Sequence, residues 1–119
     1  MYAVIFQVEP AEGRAQEYLQ IAATLRQELE KVDGFISVER FESVYNPGKF
    51  VSISFWRDEA AIHAWRAHFG HQNAQQKGRH EVFKDYRLSV AAIVRDYGMF
   101  EREESPPVVE ASWGEKLVF

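Results

Sequence analysis

Two segments of this chain are apolar on both faces, and that constrains its fold more than any other feature. Residues 2–9, Tyr-Ala-Val-Ile-Phe-Gln-Val-Glu, are β-branched and aromatic and are stopped by Pro10, which reads as a strand. Tyr2, Val4, Phe6 and Val8 face one way, Ala3 and Ile5 the other. Lys49 to Trp56 reads as another strand, in which Val51, Ile53 and Phe55 oppose Phe50 and Trp56. A sheet with helices on one side and water on the other alternates apolar with polar. This one needs two covers, and a single short chain supplies one layer of helices. A second copy of the same sheet is the simplest second cover, giving a two-fold homodimer. A C-terminal arm folded back over that face is the other candidate.

The remaining elements follow from periodicity and punctuation. Glu12 to Val32 carries Ala15, Tyr18, Ala22, Leu25, Leu29 and Val32 in steps of three and four, one helical stripe that Asp33-Gly34 ends. Phe35 to Val44 is a strand, and the turn Tyr45-Asn-Pro-Gly48 pairs it with the Lys49–Trp56 strand as a hairpin. Asp58 is placed to cap a short helix through Ala67. Gly70 is expected to interrupt it, and a second helical stretch is expected from about His71 to Asp85. Tyr86 to Arg95 alternates as a fourth strand. The order is βαββαβ: an α+β, ferredoxin-like domain with a four-stranded antiparallel sheet and helices on one face.

This domain is expected over residues 1–97, with 98–119 as a separate acidic arm marked by Pro106-Pro107. Residues 101–119 hold five acids and two bases, which leaves the body nearly neutral within a net charge of −4. An acidic balance opposes nucleic-acid binding. The chain has no cysteine, which excludes disulfides, a thiol nucleophile and thiolate metal sites. The opening apolar run is too short and too interrupted for a membrane span or a signal peptide, so a cytoplasmic address is expected. Scattered glycines offer no phosphate loop.

Phe55-Trp-Arg-Asp-Glu-Ala-Ala61, Ala64-Trp65-Arg66, His71, Ala74-Gln75 and Gly78-Arg79 together resemble the antibiotic biosynthesis monooxygenase family. Asp33-Gly-Phe-Ile-Ser37 and Arg95-Asp-Tyr97 extend the likeness over about residues 1–97. The resemblance implies a small dimeric α+β barrel. It also implies cofactor-free oxygenation of phenolic polycycles, with haem degradation and quinol chemistry as other branches. The polyketide oxygenases of the family carry an asparagine one helical turn before the tryptophan; here that place is Ala61. The haem-degrading branch uses a first-strand asparagine, the tryptophan and a later histidine; here those places read Gln7, Trp65 and Gln75.

The candidate catalytic residues are accordingly Trp65 and His71. The Trp65 indole N–H donates and cannot accept, which suits an oxygen that gains charge; its bland reading is a core tryptophan packed beside Ile62 and Phe69. His71 is the candidate proton acceptor because imidazole is suited to reversible proton transfer near neutrality, and its bland reading is a solvent-facing or capping histidine. Gln7, Gln75 and Tyr86 are candidate substrate contacts. The histidines at 68 and 71 make a weak metal motif, and no metal or organic cofactor is expected. Dioxygen would be the co-substrate, and an electron-rich substrate would supply its first electron. Haem binding or degradation, and non-enzymatic binding of a hydrophobic metabolite by the dimer, are the competing readings.

Overall fold

In the computed structural model, which describes residues 1–73 and 82–106 (for 69–73 the backbone alone), six elements follow in the expected order. They are β1 (Tyr2–Pro10), α1 (Ala15–Leu29), β2 (Phe35–Glu42), β3 (Phe50–Trp56), α2 (Glu59–Asn73) and β4 (Phe83–Ala92). The sheet is antiparallel with strand order β2-β3-β1-β4. This is the ferredoxin-like α+β arrangement.

Three boundaries differ from the sequence reading. α1 closes at Leu29, because Lys31 and Val32 donate back three residues, to the carbonyls of Glu28 and Leu29, and tighten the last turn. α2 runs unbroken through Gly70, since one glycine inside a helix costs only about 1 kcal/mol against alanine. β4 begins at Phe83, where helix was expected, because Phe83 pairs with Pro10 and its ring packs on Phe6 and Tyr18.

Register fixes which side chains share a face. Across β3, β1 and β4 the helix-side residues form four rows: Phe50–Val8–Tyr86, Ser52–Phe6–Leu88, Ser54–Val4–Val90 and Trp56–Tyr2–Ala92. The first row belongs to a cluster of Val8, Tyr18 and Val82, joined by Leu19, Ile21 and Phe83. The last row belongs to a cluster of Trp56, Ala61 and Ile62, joined by Leu29, Val32, Phe35 and Trp65. The opposite face carries Ala3, Ile5, Val51, Ile53, Phe55 and Ala91, and no helix among the described residues lies over it.

Candidate active site

The residues that carry the family likeness form a clasp between two loops. Arg57 follows β3, and its guanidinium grips both carboxylate oxygens of Asp33 at 3.2 Å while Nε donates to Asp58 at 2.9 Å. The Arg57 backbone N–H donates to the Gly34 carbonyl at 2.7 Å. Gly34 has φ +90°, and a Cβ there would stand 2.7 Å from the Ala61 Cβ. The loop before β2 therefore lies directly on the first turn of α2, a closeness only glycine permits. Asp58 Oδ1 accepts the Ala61 N–H at 2.9 Å, the expected helix cap. The hydrogen bond from Arg57, then that from Ala61, holds the Asp58 carboxyl below its ordinary range, and the two aspartates push Arg57 up. This clasp sets the direction in which α2 leaves the sheet, and so the place of Trp65.

The core is incomplete at β4. In the two middle rows the central strand offers only Ser52 and Ser54, where large apolar residues would fill the space under the helices. On β4, Leu88 and Val90 point to the helix side yet stay 43% and 38% exposed. On α1, the small side chain of Ala22 falls between Tyr18 of one cluster and Leu29 of the other. What stays open on the helix side is an apolar gap over β4, edged by Leu88 and Val90, while Ser52 and Ser54 are buried. Tyr86 walls one end, its ring 5.6 Å from Phe6 and 5.9 Å from Phe83. Trp56 is locked at the other end by donating to the Ser54 hydroxyl at 2.9 Å.

The sequence candidates distribute unequally around this gap. Trp65 is half-buried on the Trp56 cluster and belongs to the helix side. Its ring lies 6.0 Å from that of His68, whose Nε2 stands 3.9 Å from the Glu28 carboxylate of α1. Tyr86 is also on the helix side. Gln7 is not: it pairs with Val51 and Arg87 on the opposite face, beside Ile5, so within one chain it shares no cavity with Trp65. Arg87 stands with it, and Tyr18 is core, its hydroxyl accepting from Arg40 Nε at 2.9 Å. The backbone of His71 continues α2 one turn past His68; Gln75 lies outside the described residues.

Sequence reasoning missed Ser52 and Ser54, because hydroxyls alternating with Val51, Ile53 and Phe55 imitate a solvent-facing side. A second groove, of about 390 Å³, lies between α1 and β2, lined by Arg26, Val38, Glu39 and Arg40. Its arginines are engaged by Glu30 and Tyr18, and it contains no aromatic ring. Among the described residues no three His, Asp or Glu side chains converge as metal ligands.

The family model for antibiotic biosynthesis monooxygenases matches residues 1–77. The chain belongs to the antibiotic biosynthesis monooxygenase family. Within that family it is similar to jasmonate monooxygenase ABM of Pyricularia oryzae, with 45% identity over 93 residues. The match covers 78% of this chain and 43% of that protein, so the chain spans less than half the relative's length. Among solved structures, a Deinococcus radiodurans protein provisionally placed among these monooxygenases superposes with TM-score 0.71 at 19% identity. That superposition covers 83% of this chain and 98% of the other. A variant of SnoaB, a cofactor-independent oxygenase of Streptomyces nogalater, superposes with TM-score 0.66 at 13% identity over 80% and 94% of the two chains. At these identities the structures speak for the fold.

Proposed function

We propose that the chain is a cofactor-independent monooxygenase that oxidises a hydrophobic small molecule, phenolic, quinol or anthrone-like, in the gap between helices and sheet. The observation that carries this reading is the family match over residues 1–77, together with the exposed apolar strip of Leu88 and Val90 on the helix side of β4. Family membership and the monooxygenase named among its relatives support it. That relative is named for jasmonate, which is not a phenol, so hydrophobicity defines the class before aromaticity does.

In this reading a base takes a proton from the substrate, and the resulting anion gives an electron to dioxygen. The radicals combine to a peroxide that loses water. For an anthrone-like CH₂ group the balance is CH₂ + O₂ → C=O + H₂O, one oxygen atom entering the product. The protein's part is a dry site, a proton acceptor and donors to the developing oxyanion. Trp65 is assigned as donor and His71 as acceptor. Tyr86 is assigned to the aromatic wall and Gln75 to the substrate, while Gln7, on the opposite face, leaves the donor set.

The working unit is proposed to be a homodimer with the open sheet faces together, and residues 98–119 an arm reaching the partner. Met99 and Phe100 agree with such an arm, Phe100 being 90% exposed on its own chain. Among the described residues no helix is long and apolar enough to cross a membrane. An oxygen electrode with the chelated, cofactor-free protein tests the function against quinols, anthrones and haem. Saturable uptake with a quinol or anthrone is expected, with label from ¹⁸O₂ in the product. Saturable binding without uptake would mark a metabolite-binding protein, and a Soret band on titration the haem-binding alternative; either overturns the proposal.

A further inference from the structure

The groove of about 390 Å³ between α1 and β2 is lined by Arg26, Val38, Glu39 and Arg40. β2 and β4 are the two edges of the sheet, so this groove lies apart from the strip of Leu88 and Val90. Val38 and Arg40 pair with Ser54 and Ser52 and point to the helix side, while Glu39 pairs with Ile53 and belongs to the opposite face.

The state of Arg40 marks what the groove takes. Its Nε donates to the Tyr18 hydroxyl at 2.9 Å, and Cζ stands 5.5 Å from the centroid of that ring. Tyr18 is 3% exposed, so the guanidinium is anchored to the core. Arg40 is half-buried, and among the described residues it has no carboxylate in ion-pairing distance and no partner for either η nitrogen. A guanidinium held in place, partly stripped of water and given no counter-charge is prepared for an oxyanion. Arg26 is more loosely held. Its Nε stands 3.6 Å from Glu30 in an exposed pair, which contributes little, so it can turn to the same anion from α1. The strand edge adds main-chain donors. The Ser43 N–H bonds to the Lys49 carbonyl, so along this ladder the odd-numbered residues of β2 bond to β3. The N–H groups of Val38 and Arg40 point off the open edge instead.

We infer that this groove binds the carboxylate of a small organic acid, its two oxygens gripped by the Arg40 η nitrogens and its carbon chain laid on Val38. The planar fork matches two oxygens in one plane. Glu39 borders the groove and Glu30 accompanies Arg26, so a doubly charged phosphate meets more repulsion there than a carboxylate. The site is independent of the oxygenase reading.

Butyrate and butyramide share one carbon skeleton and differ in charge. Each is titrated into the full chain at constant ionic strength and followed by ¹⁵N NMR, with inorganic phosphate as a third probe. Butyrate is expected to shift the Arg40 Nε–H and the backbone N–H groups of Val38 and Arg40 saturably. It should bind about tenfold more tightly than either other probe, the size of one charge-assisted contact. Arg40→Gln should abolish that preference. Because Arg40 also holds Tyr18, the second variant is Arg26→Gln, at an exposed position of α1. It should weaken butyrate about threefold with the melting temperature unchanged. Arg14→Gln, whose arginine is paired with Glu17, should bind butyrate as the unaltered protein does. No saturable shift with butyrate, shifts that map away from α1 and β2, equal binding of butyrate and butyramide, or tighter binding of phosphate overturns the inference. So does undiminished butyrate binding in Arg40→Gln, and where that variant does not fold, undiminished binding in Arg26→Gln decides the same way. Oxygen uptake is no part of the readout, so the result stands whether or not the protein is an oxygenase.

Discussion

Trp65 is the residue at which packing and chemistry separate most cleanly. Trp65→Phe keeps an aromatic ring against the Trp56 cluster and removes the N–H. Turnover is expected to fall on the order of a hundredfold, typical of one lost oxyanion donor, with the melting temperature almost unchanged. A loss of about 1 kcal/mol or more of stability with no change in turnover would make Trp65 a packing residue. Gly34 has a structural part alone. Gly34→Ala combines a left-handed φ with a Cβ driven against Ala61, and about 1–3 kcal/mol of destabilisation is expected in urea unfolding. An unchanged midpoint would show that the loop shifts freely. The Arg57 and Gly34 motifs were legible as a family mark, but their physical part was not. An ion-pair clasp joins positions 24 residues apart, and no spacing rule reveals that. Ser52 was illegible for the opposite reason, since a serine on a strand has the same letter whether it faces water or lies buried.

At the scale of elements, α2 depends on its first turn. Asp58 carries two partners there, the Arg57 guanidinium and the Ala61 N–H, and its pKa is held below the ordinary value of 3.8. The stabilising contribution is fully present above that value and disappears as the pH falls toward the depressed one. Asp58→Asn keeps an amide oxygen for the cap and removes the charge. Its stability should therefore fall less steeply than that of the unaltered protein on acidification below about pH 4. Parallel acid limbs in thermal melts would show that the pair contributes nothing. The type and order of all six elements were legible, because alternation and the three-to-four stripe survive in single strands and helices. The interruption expected at Gly70 was not found, since one glycine inside a helix costs only about 1 kcal/mol against alanine. The start of β4 was obscured because Lys84 and Asp85 look helical, and what decides the matter is the Phe83 ring on Phe6 and Tyr18.

For the whole molecule, the open face decides the assembly. Ile53 pairs with Ile5 on β1 and Glu39 on β2 at the middle of that face. An added carboxylate there stands beside Glu39 and would be buried against the partner if two copies meet face to face. Ile53→Asp is expected to convert a dimer to folded or partly unfolded monomer in sedimentation velocity. A monomeric unaltered protein would sink the proposed assembly. The two-sided apolar pattern was plain in the sequence, and the register bears it out: Ile5, Val51, Ile53 and Phe55 share the face opposite the helices.

The position of β1 in the sheet also bears on how the chain reaches its native state. The first strand to be synthesised is an interior one, bonded to β3 on one edge and to the last strand, β4, on the other. Until residues 83–92 are available, the Tyr2–Pro10 edge that awaits them stays unpaired and apolar, a template for pairing with other chains. Closure of that ladder joins contacts some eighty residues apart, so refolding is governed by a long-range search more than by helix formation. A fragment ending at residue 77, where the family match ends, would be a β-edge seeking a partner.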